Sequence, residues 1–458
     1  MKNAKKVISL VLVLCMSVTL FAACGSASND SANSTVAASS TVTAAASSSV
    51  TGEVKVVKYW YPWGGDSETW DLWRVSEFEK KNPGYKFECT YVPEGAGISN
   101  GKLATAVNSG TAPDLVVIDR SIEAYSYAGQ GGFEAIDETL AKVGFKEGDI
   151  NQAILPLMKF DGKTYLFPQN TDTTVLFYRT DMFEAAGLDP AKPPKTMAEL
   201  DAYAKALTKV DANKKVTTYG FIPWLDAGLE PQTWSWMFGA NVFDPANKKI
   251  NLNTPEMIAS FDWQKSYAKM YDPAAIKSAS SSFGEAFSAN HAFMTGNVAM
   301  TAMGNWFCNA IKIYAPDLKY NIAPLPAPEN GRYGGTPLSS NVCAVPKGAK
   351  EIEGAVRFAL FCQEPYILDD NNKQWRSLGI YPDKIQDLTL MKEKDKFLPT
   401  IVDITFNKNS GMFALTSAAT LLNDKLKSGL ENVIYNNVDS SKILKEVEDE
   451  VQAQVDAN

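Results

Sequence analysis

The sequence predicts an α/β fold divided between two domains. After Gly52, segments with the alternating pattern of strands are followed by segments with the spacing of amphipathic helices, an order typical of α/β proteins. The chain has 458 residues. Single hydrophobic cores stop growing near about 250–300 residues, so a second core is expected. The residues are 45% hydrophobic and 21% charged, the balance of a folded globular protein.

The first α/β block is predicted to follow Gly52 directly. Its elements are, in order, a strand at Val54–Trp60, a helix through Trp70, Trp73 and Phe78, a strand at Tyr85–Tyr91, a helix around Leu103 and Val107, and a strand at Leu115–Ile118. The second strand alternates aromatic or cysteine side chains with polar ones, which predicts one buried face and one wet face. Asn82-Pro83-Gly84 supplies the stop between the first helix and this strand.

A second block is predicted from about Gly162 onward. Its elements are strands at Tyr165–Phe167 and Thr174–Tyr178, a helix capped by Thr196 and Glu199, a helix at Ser282–Thr295, a strand at Val298–Met303 and a C-terminal helix through Ile443, Leu444, Val447 and Val451. Pro168 and the polar run Gln169–Thr173 separate the first two of these strands. We predict a hinge at this polar run.

The N-terminal 52 residues predict export and a tether. Lysines at 2, 5 and 6 precede an apolar stretch from Val7 to Ala23, the pattern of an export signal at residues 1–23. A retained membrane helix is the alternative. Leu20 to Gly25 resembles the lipobox of bacterial lipoproteins, which implies a lipid on Cys24 despite Phe21 at a usually aliphatic position. Residues 24–52 are almost entirely Ser, Thr, Ala and Val, and therefore predict a flexible linker.

Charge and composition exclude several classes of function. The net charge is −8 and no long basic run follows Lys6, which disfavours nucleic-acid binding. His291 is the one histidine of the chain, so we expect it to be structural, and we expect neither a metal nor another cofactor. The four cysteines beyond the leader lack any C-x-x-C spacing and read as core residues, although a disulfide stays open: Cys89, Cys308, Cys343 and Cys362.

A series of short motifs resembles the extracellular solute-binding proteins that serve ABC importers for sugars, the group that contains maltose-binding protein. The motifs are Phe78 to Pro83, Ser109 to Leu115, Ala186 to Leu188 with Pro193 to Thr196, Phe293 to Met300, Gly304 to Trp306, and Val345 to Lys350. Their order and spacing carry the resemblance, which covers Val54 to about Leu444. Met197 and Tyr59 depart from residues common in the family.

This resemblance implies a periplasmic-binding-protein-like fold with two lobes and a hinged cleft between them. By analogy, residues 53–166 plus 334–380 would form the first lobe, and residues 167–333 plus 381–458 the second. The implied protein is a monomer, not an enzyme, that is tethered to the extracellular face of the bacterial cytoplasmic membrane. It would capture a carbohydrate by hinge closure and deliver it to the permease subunits of an ABC importer.

Candidate ligand-binding residues follow from where the strands end. Ligands of open α/β sheets bind beyond the carboxyl ends of the strands, and a sugar needs aromatic plates for its C–H faces and polar groups for its hydroxyls. The residues at these ends are Trp60, Tyr61, Trp63, Asp119, Arg120 and Trp306. Asp119 and Arg120 also resemble an acidic–basic pair of the family, and Trp306 resembles one of its stacking tryptophans. A surface salt bridge and core packing are the alternatives.

Further candidates come from a tryptophan-rich segment and from the crossing segments. Trp224, Asp226, Trp234 and Trp236 lie among prolines and glycines, which predicts a loop whose indoles contact a ligand or pack on the lobe. Phe413 resembles in position an aromatic residue that the family directs at its ligand. The polar runs Gln169–Asp172 and Ser339–Asn341, through Asp172 and Ser339, are expected to donate or accept hydrogen bonds.

Two other functions remain open on the sequence alone. An exported glycosidase would also use aromatic plates, with a pair of carboxylates, but no local catalytic motif is apparent. The same fold could instead bind a peptide, polyamine, phosphate or metal chelate. Transition metals are disfavoured by the single histidine, and the ten tryptophans favour sugar.

Overall fold

The computed structural model describes residues 53–226, 230–364, 378–383 and 395–457. The predicted signal peptide, Cys24 and the linker lie outside these residues. Within them the chain builds two large β-sheets that carry helices on their faces, together with two small two-stranded sheets. The first large sheet packs against one hydrophobic cluster and the second packs against two others. We call the part around the first sheet the first lobe and the part around the second sheet the second lobe.

The strands have the following bounds. They are β1 Lys55–Tyr61, β2 Tyr85–Tyr91, β3 Leu115–Ile118, β4 Lys159–Phe160, β5 Lys163–Thr164, β6 Leu166–Pro168, β7 Asp172–Arg179, β8 Lys209–Val210, β9 Val216–Phe221, β10 Phe243–Asp244, β11 Lys249–Ile250, β12 Val298–Gly304, β13 Tyr320–Ala323, β14 Pro337–Ser339, β15 Val342–Ala344 and β16 Gly411–Met412.

The α-helices have the following bounds. They are α1 Asp66–Lys81, α2 Pro93–Gly97, α3 Lys102–Asn108, α4 Ser121–Gly129, α5 Asp137–Lys142, α6 Leu155–Met158, α7 Thr180–Ala185, α8 Met197–Leu207, α9 Pro231–Met237, α10 Pro255–Met270, α11 Pro273–Ser280, α12 Ala292–Thr295, α13 Phe307–Tyr314, α14 Ile352–Phe361, α15 Leu398–Thr405, α16 Ala419–Tyr435 and α17 Ser440–Ala457.

The first sheet has the strand order β2-β1-β3-β15-β6. Its first three strands are parallel, and β15 runs antiparallel to both β3 and β6. All four residues of β3 are buried, as expected for an apolar central strand of a sheet covered on both faces. The strand bounds predicted for this sheet are confirmed to within about two residues.

The second sheet has the order β16-β14-β7-β12-β9-β8, with β13 also paired to β7. The capping box predicted at α8 is confirmed, because the Thr196 side chain accepts from the Glu199 amide and the Glu199 carboxylate accepts from the Thr196 amide. The predicted C-terminal helix is also confirmed as α17, whose buried Leu444, Val447 and Val451 join the second lobe's core.

Two predicted elements of the second lobe are wrong. Residues 282–290 form a loop instead of a helix, and only Ala292–Thr295 is helical. The chain folds back so that the Gly284 amide donates to the Asn290 carbonyl at 3.1 Å, and the His291 ring then caps the short helix that follows. The predicted tryptophan-rich loop contains helix α9, which has a proline in its first turn, where a proline suits a helix.

Sheet pairing also bears on the division into lobes. Strand β14 pairs with β7 and β16 in the second sheet, whereas the sequence prediction assigned residues from 334 onward to the first lobe. Strand β6 pairs with β15 in the first sheet up to Pro168, two residues beyond the predicted boundary at 166. The chain therefore changes sheets between β6 and β7 and again between β14 and β15.

Candidate functional site

The two changes of sheet lie side by side and are joined by hydrogen bonds. The Gln169 amide donates to the Asn341 carbonyl, and the Asn341 amide donates to the Asn170 side chain, both at 2.8 Å. Thr171 forms an isolated bridge with Leu378. Hydrogen bonds therefore join three stretches of chain at this point, around residues 169–171, 341 and 378. The first of these stretches lies in the predicted hinge at Gln169–Thr173.

Asp119 and Arg120 lie at the first-lobe edge of this junction. Ile118, the last residue of β3, pairs with Val342 of β15, so Asp119 follows next to Asn341. Asp119 is exposed to solvent, yet the protein around it removes part of its hydration and raises its pKa, against the opposing effect of the Arg120 cation. Arg120 pairs with Glu123 at 3.3 Å and is half exposed, so the alternative of a surface salt bridge is also realised.

Trp306 lies at the second-lobe edge of the same junction. Its neighbour Asn305 is fully buried, donates its amide to the Thr173 carbonyl at 2.9 Å, and accepts from the Thr173 amide at 2.7 Å. A Cβ atom at Gly304 would lie only 2.2 Å from the indole nitrogen of Trp306, so the ring covers this glycine. Trp306 is half-buried and therefore keeps part of its surface for a partner.

Asp172 begins β7, Ser339 ends β14 and Phe413 directly follows β16, so all three lie at this same edge of the second sheet. Ser339 pairs with Asp172 across β14 and β7, and Met412 pairs with Leu338, so Phe413 comes next to Ser339. Asp172 is 8% exposed and accepts from the Asn170 amide group at 3.0 Å, whereas Ser339 is exposed. Asp172 thus braces the junction, while Ser339 and the half-buried Phe413 present surface to it.

A pocket of about 490 Å³ adjoins Phe413 and has walls from both lobes. Tyr125 and Gln152 line it from the first lobe, and Gln232, Trp236 and Phe413 line it from the second. This volume lies within the range of about 300–1,000 Å³ typical of small-molecule sites. A cavity between the lobes is therefore present beside the predicted site residues.

The first strand's aromatic residues divide between core and surface. Tyr61 is 3% exposed and its hydroxyl donates to Glu68 at 2.5 Å, so its assignment to a ligand site is wrong and the alternative of core packing holds. Trp60 is half-buried with the Lys102 ammonium 5.2 Å from its ring centroid. Trp63 is half-buried against the first lobe's core. Both rings retain exposed surface.

The tryptophan-rich segment is mostly structural. Trp234 is 0% exposed and donates its indole N–H to the Pro223 carbonyl at 2.7 Å, and Trp224 is 7% exposed, so their assignment to a ligand site is wrong. Both join the second lobe's core. Trp236 lines the interlobe pocket, with the Arg332 guanidinium 4.1 Å from its ring centroid. It remains a candidate.

Asp226 and His291 form a structural network. The Phe293 amide donates to His291 Nδ1 at 3.3 Å, so Nε2 carries the proton that faces Asp226 at 3.1 Å. Thr301 also donates to Asp226. These bonds hold Asp226 at φ 55°, a backbone region that side chains rarely adopt. His291 is therefore structural, as expected, and Asp226 has its acceptors occupied by the protein.

Sequence reasoning missed residues that join the site only through the fold. Phe287 stacks on Trp306 with ring centroids 5.4 Å apart, and it belongs to the loop that was predicted as a helix. Tyr125 and Gln232 line the pocket from helices α4 and α9. Tyr125 could have been proposed as a site residue because α4 directly follows Asp119 and Arg120 in the sequence. Nothing in the sequence around Phe287 indicates that it contacts Trp306.

Within the described ranges, no group of three or more His, Cys, Asp or Glu could hold a metal ion, and no helix is long and apolar enough to cross a membrane. Among the described residues, Cys89, Cys308, Cys343 and Cys362 form no disulfide bond. Burial raises the pKa of Cys89 to about 11, which keeps this thiol protonated near neutral pH.

The chain is similar in sequence to known bacterial binding proteins. The family model described as bacterial extracellular solute-binding protein matches residues 61–365. The arabinooligosaccharide-binding protein of Bacillus subtilis (strain 168) is 26% identical over 373 residues, which cover 80% of this chain and 81% of that protein. A putative binding protein of Brucella abortus (strain 2308) is 27% identical over 266 residues, and the match spans 59% of that relative.

Solved structures share the architecture. The structure of CpMnBP1 with mannotriose bound superposes with a TM-score of 0.77 at 27% identity, covering 87% of this chain and all of that one. The substrate-binding protein Lmo0181 of Listeria monocytogenes, in complex with cycloalternan, has a TM-score of 0.71 at 19% identity and covers 88% of this chain. The two-lobed fold with an interlobe cleft is thereby confirmed.

Proposed function

Because the chain belongs to the family of bacterial extracellular solute-binding proteins, we propose that it captures a carbohydrate between its lobes and delivers it to an ABC importer. One observation carries this proposal. Asp119 from the first lobe and Trp306 and Ser339 from the second lobe converge on the fastened junction where the chain changes sheets. A charged acceptor and an aromatic plate on opposite lobes are what a sugar needs.

Binding requires no covalent step. The part of the Trp306 ring that Gly304 and Phe287 leave exposed supplies an aromatic surface for the apolar face of a pyranose. Asp119 accepts hydrogen bonds from sugar hydroxyls, and Arg120 can donate to ring or hydroxyl oxygens. Only a closed arrangement makes the contacts of both lobes at once, so the ligand stabilises closure. The importer then receives a closed, loaded binding protein.

The lobes that close are best divided at the sheet changes. We propose that residues 53–168 and 341–364 form the first lobe and that residues 172–339 and 395–457 form the second. The short stretches between them, with Leu378, form the hinge. This division supports the rigid-body closure because the hydrophobic clusters of the two lobes are separate.

The cellular location of the protein is proposed from its predicted signal peptide and from Cys24. A lipid on Cys24 would hold a monomer at the extracellular face of the cytoplasmic membrane, within reach of permease subunits. We expect Cys24→Ala to release the protein into the culture medium, while the unaltered chain stays in the membrane fraction. Retention of the Cys24→Ala variant would favour an uncleaved membrane helix instead.

The central test is ligand binding by the purified full chain. We expect a thermal-shift screen of mannose, mannobiose, mannotriose and arabinooligosaccharides, followed by calorimetry, to find at least one binder, because ligands at a hundred times their Kd stabilise by about 2.7 kcal/mol. Glycerol 3-phosphate tests the rival of an anionic ligand, and chromogenic glycosides test the rival of an enzyme.

Variants connect this binding to the site. Trp306→Ala and Asp119→Asn are expected to weaken sugar binding about 5- to 150-fold, since each removes a contact worth about 1–3 kcal/mol. Tyr314→Ala is the matched control, because Tyr314 is an exposed aromatic residue at the far end of α13. Equal sugar affinity in all three variants would overturn the assignment of the site.

A further inference from the structure

A hydrogen bond between the lobes joins helices α4 and α16. Helix α4 begins directly after Arg120, and its buried Ala124 and Ala128 belong to the first lobe's core. Helix α16 begins six residues after Phe413, and its buried Leu422, Leu426 and Leu430 belong to the second lobe's core. The contact therefore links two bodies whose cores are separate.

The contact is made by the Ser126 hydroxyl oxygen. It accepts from the Thr420 amide at 3.3 Å and from the Thr420 hydroxyl at 3.1 Å, and Ser126 is 4% exposed. Nearby, Met412 and Leu415 of the second lobe pack against the first lobe's core. The hydroxyl is thus enclosed by an apolar contact, where a lost hydrogen bond is not readily replaced by water.

The Thr420 amide is a donor that α16 itself leaves unsatisfied. Thr420 is the second residue of the helix, and the cap position is held by Ala418, which offers no side-chain acceptor. The first four amides of a helix need partners from outside the helix, and a cap side chain normally serves the second or third residue. Ser126 fills this role for α16 from the opposite lobe.

We propose that Ser126 is a positioning residue that favours lobe closure by capping α16 across the interlobe contact. Ser126 does not line the interlobe pocket, although its neighbour Tyr125 does. When the lobes separate, the first turn of α16 loses its cap, so the open state bears a penalty that the closed state does not. Because apparent affinity scales with the fraction of protein in the binding-competent state, Ser126 raises affinity for the ligand. This inference rests on the hinge closure of the proposed function.

Ser126→Ala tests the proposal in the full chain. We expect the affinity for a sugar that binds the wild type to fall about 2- to 30-fold, the range that corresponds to losing a helix cap. Without sugar, we expect faster hydrogen exchange at residues 419–422 and a larger radius of gyration in solution scattering. Ser126→Thr, which keeps the hydroxyl, should restore all three values toward those of the wild type.

A matched control separates closure from stability. Ser260→Ala removes an equally buried hydroxyl whose partner, Ser235, lies in the same lobe, so it should leave sugar affinity and the radius of gyration unchanged. If Ser126→Ala and Ser260→Ala behave alike in affinity, radius and exchange at 419–422, the proposal is overturned.

The exchange measurement needs no ligand, so it tests the interlobe cap even before a sugar is found. Unchanged exchange at 419–422 in Ser126→Ala overturns the cap. If the wild type binds sugar and compacts but Ser126→Ala does the same with equal affinity, only this inference fails. If the wild type binds sugar without compacting, the hinge closure of the proposed function fails and this inference fails with it.

Discussion

Tryptophan side chains in this protein have opposite roles that their local sequences do not separate. Trp306 lies half-buried at the junction of the lobes, whereas Trp234 is 0% exposed in the second lobe's core. Trp234 packs edge-on against Phe221 and Trp263 and satisfies its N–H internally. A buried indole of this kind contributes to folding, and a half-exposed one is available to a ligand.

Trp234→Ala is expected to lower the free energy of unfolding by about 3–5 kcal/mol, because the substitution leaves a large cavity and an unpaired Pro223 carbonyl. Urea unfolding followed by circular dichroism measures this change. Tyr314→Ala, at an exposed aromatic residue, should change stability by less than about 1 kcal/mol. A Trp234→Ala protein with native stability but no sugar binding would instead return Trp234 to the ligand site.

Asp119 and Trp306 could be proposed from the sequence because each follows a strand whose end was predictable. It could not separate Trp234 from Trp236, since exposure depends on which face of α9 meets the core. Pro223 and Pro231 suggested a loop, yet a proline in the first turn starts a helix as readily as it interrupts one. Tyr61 shows the same limit, because its burial depends on Glu68 and the neighbouring strand.

Asp119 also predicts how sugar binding depends on pH. Its ionised carboxylate accepts hydrogen bonds from sugar hydroxyls more strongly than the protonated acid does, and the surrounding protein raises its pKa above the usual value of about 3.9. Sugar affinity should therefore be complete near neutral pH and decline as pH falls through a midpoint above that value. Because the pKa of Asp119 is raised in the folded state, protonation of this group as pH falls makes folding more favourable. The decline in sugar affinity at low pH therefore cannot result from a loss of folding stability at Asp119.

Calorimetric titration between pH 7 and pH 4 measures this dependence. Asp119→Asn should bind more weakly at neutral pH and show a flatter profile across the same range, while unfolding midpoints recorded at each pH confirm that the protein remains folded. An unchanged decline in Asp119→Asn would assign the pH dependence to another group.

At the scale of elements, one carboxylate joins helices α8 and α10. Asp201 accepts from the Trp263 indole N–H at 3.0 Å and from the Tyr267 hydroxyl at 2.7 Å. Tyr267 is fully buried, and burial together with the Asp201 charge raises its pKa. The tyrosine therefore stays a neutral donor, and the two helices are held by two bonds to one oxygen.

Asp201→Ala should destabilise the fold by about 1–3 kcal/mol, because it leaves the buried Tyr267 hydroxyl without its acceptor. Glu256→Ala is a suitable comparison, since Glu256 is an exposed acid in the first turn of α10 and should cost less than about 1 kcal/mol. Thermal unfolding midpoints of both variants measure this difference. Equal midpoints would contradict the conclusion that Asp201 stabilises the packing of α8 against α10.

Helices with a capping motif or a clear apolar spacing could be predicted from the sequence. A segment in which a turn hydrogen bond replaces the helix could not. The capping box at Thr196 and the apolar spacing of α17 identify their helices without tertiary information. Residues 282–290 contain good helix formers, but the Gly284 amide finds its partner at Asn290. Such a fold-back within the chain cannot be read from propensity.

At the scale of the whole molecule, the lobes are joined by stretches that are distant in sequence. The alternation of strands and helices and the length of the chain predicted two α/β bodies. The position of β14 in the second sheet was not predictable, because it depends on pairing with β7 and β16 across more than seventy intervening residues on one side and more than 150 on the other. Such long-range pairings form only when the complete tertiary fold brings the strands together.

The Gln363 side chain forms hydrogen bonds to two of the chain segments that meet at this junction. Its side chain is 0% exposed, donates to the Gln169 carbonyl at 2.6 Å, and accepts from the Ile380 amide at 3.1 Å. The crossing segment at Gln169 and the segment at Ile380 are therefore held by one amide group. We therefore expect this bond pair to stabilise the junction between the lobes.

Gln363→Leu should lower the free energy of unfolding by about 1–3 kcal/mol, because a side chain of similar size leaves two buried backbone groups unpaired. Gln152→Leu is the matched control. Gln152 likewise makes two hydrogen bonds to the backbone, at the carbonyls of Glu147 and Ile150, but within one surface loop of the first lobe, so water can replace it. Urea unfolding measures both, and hydrogen exchange at Gln169 and Ile380 should accelerate in Gln363→Leu alone. Equal stability of the two variants, with exchange unchanged at both amides, would show that the junction is held by backbone pairing without Gln363.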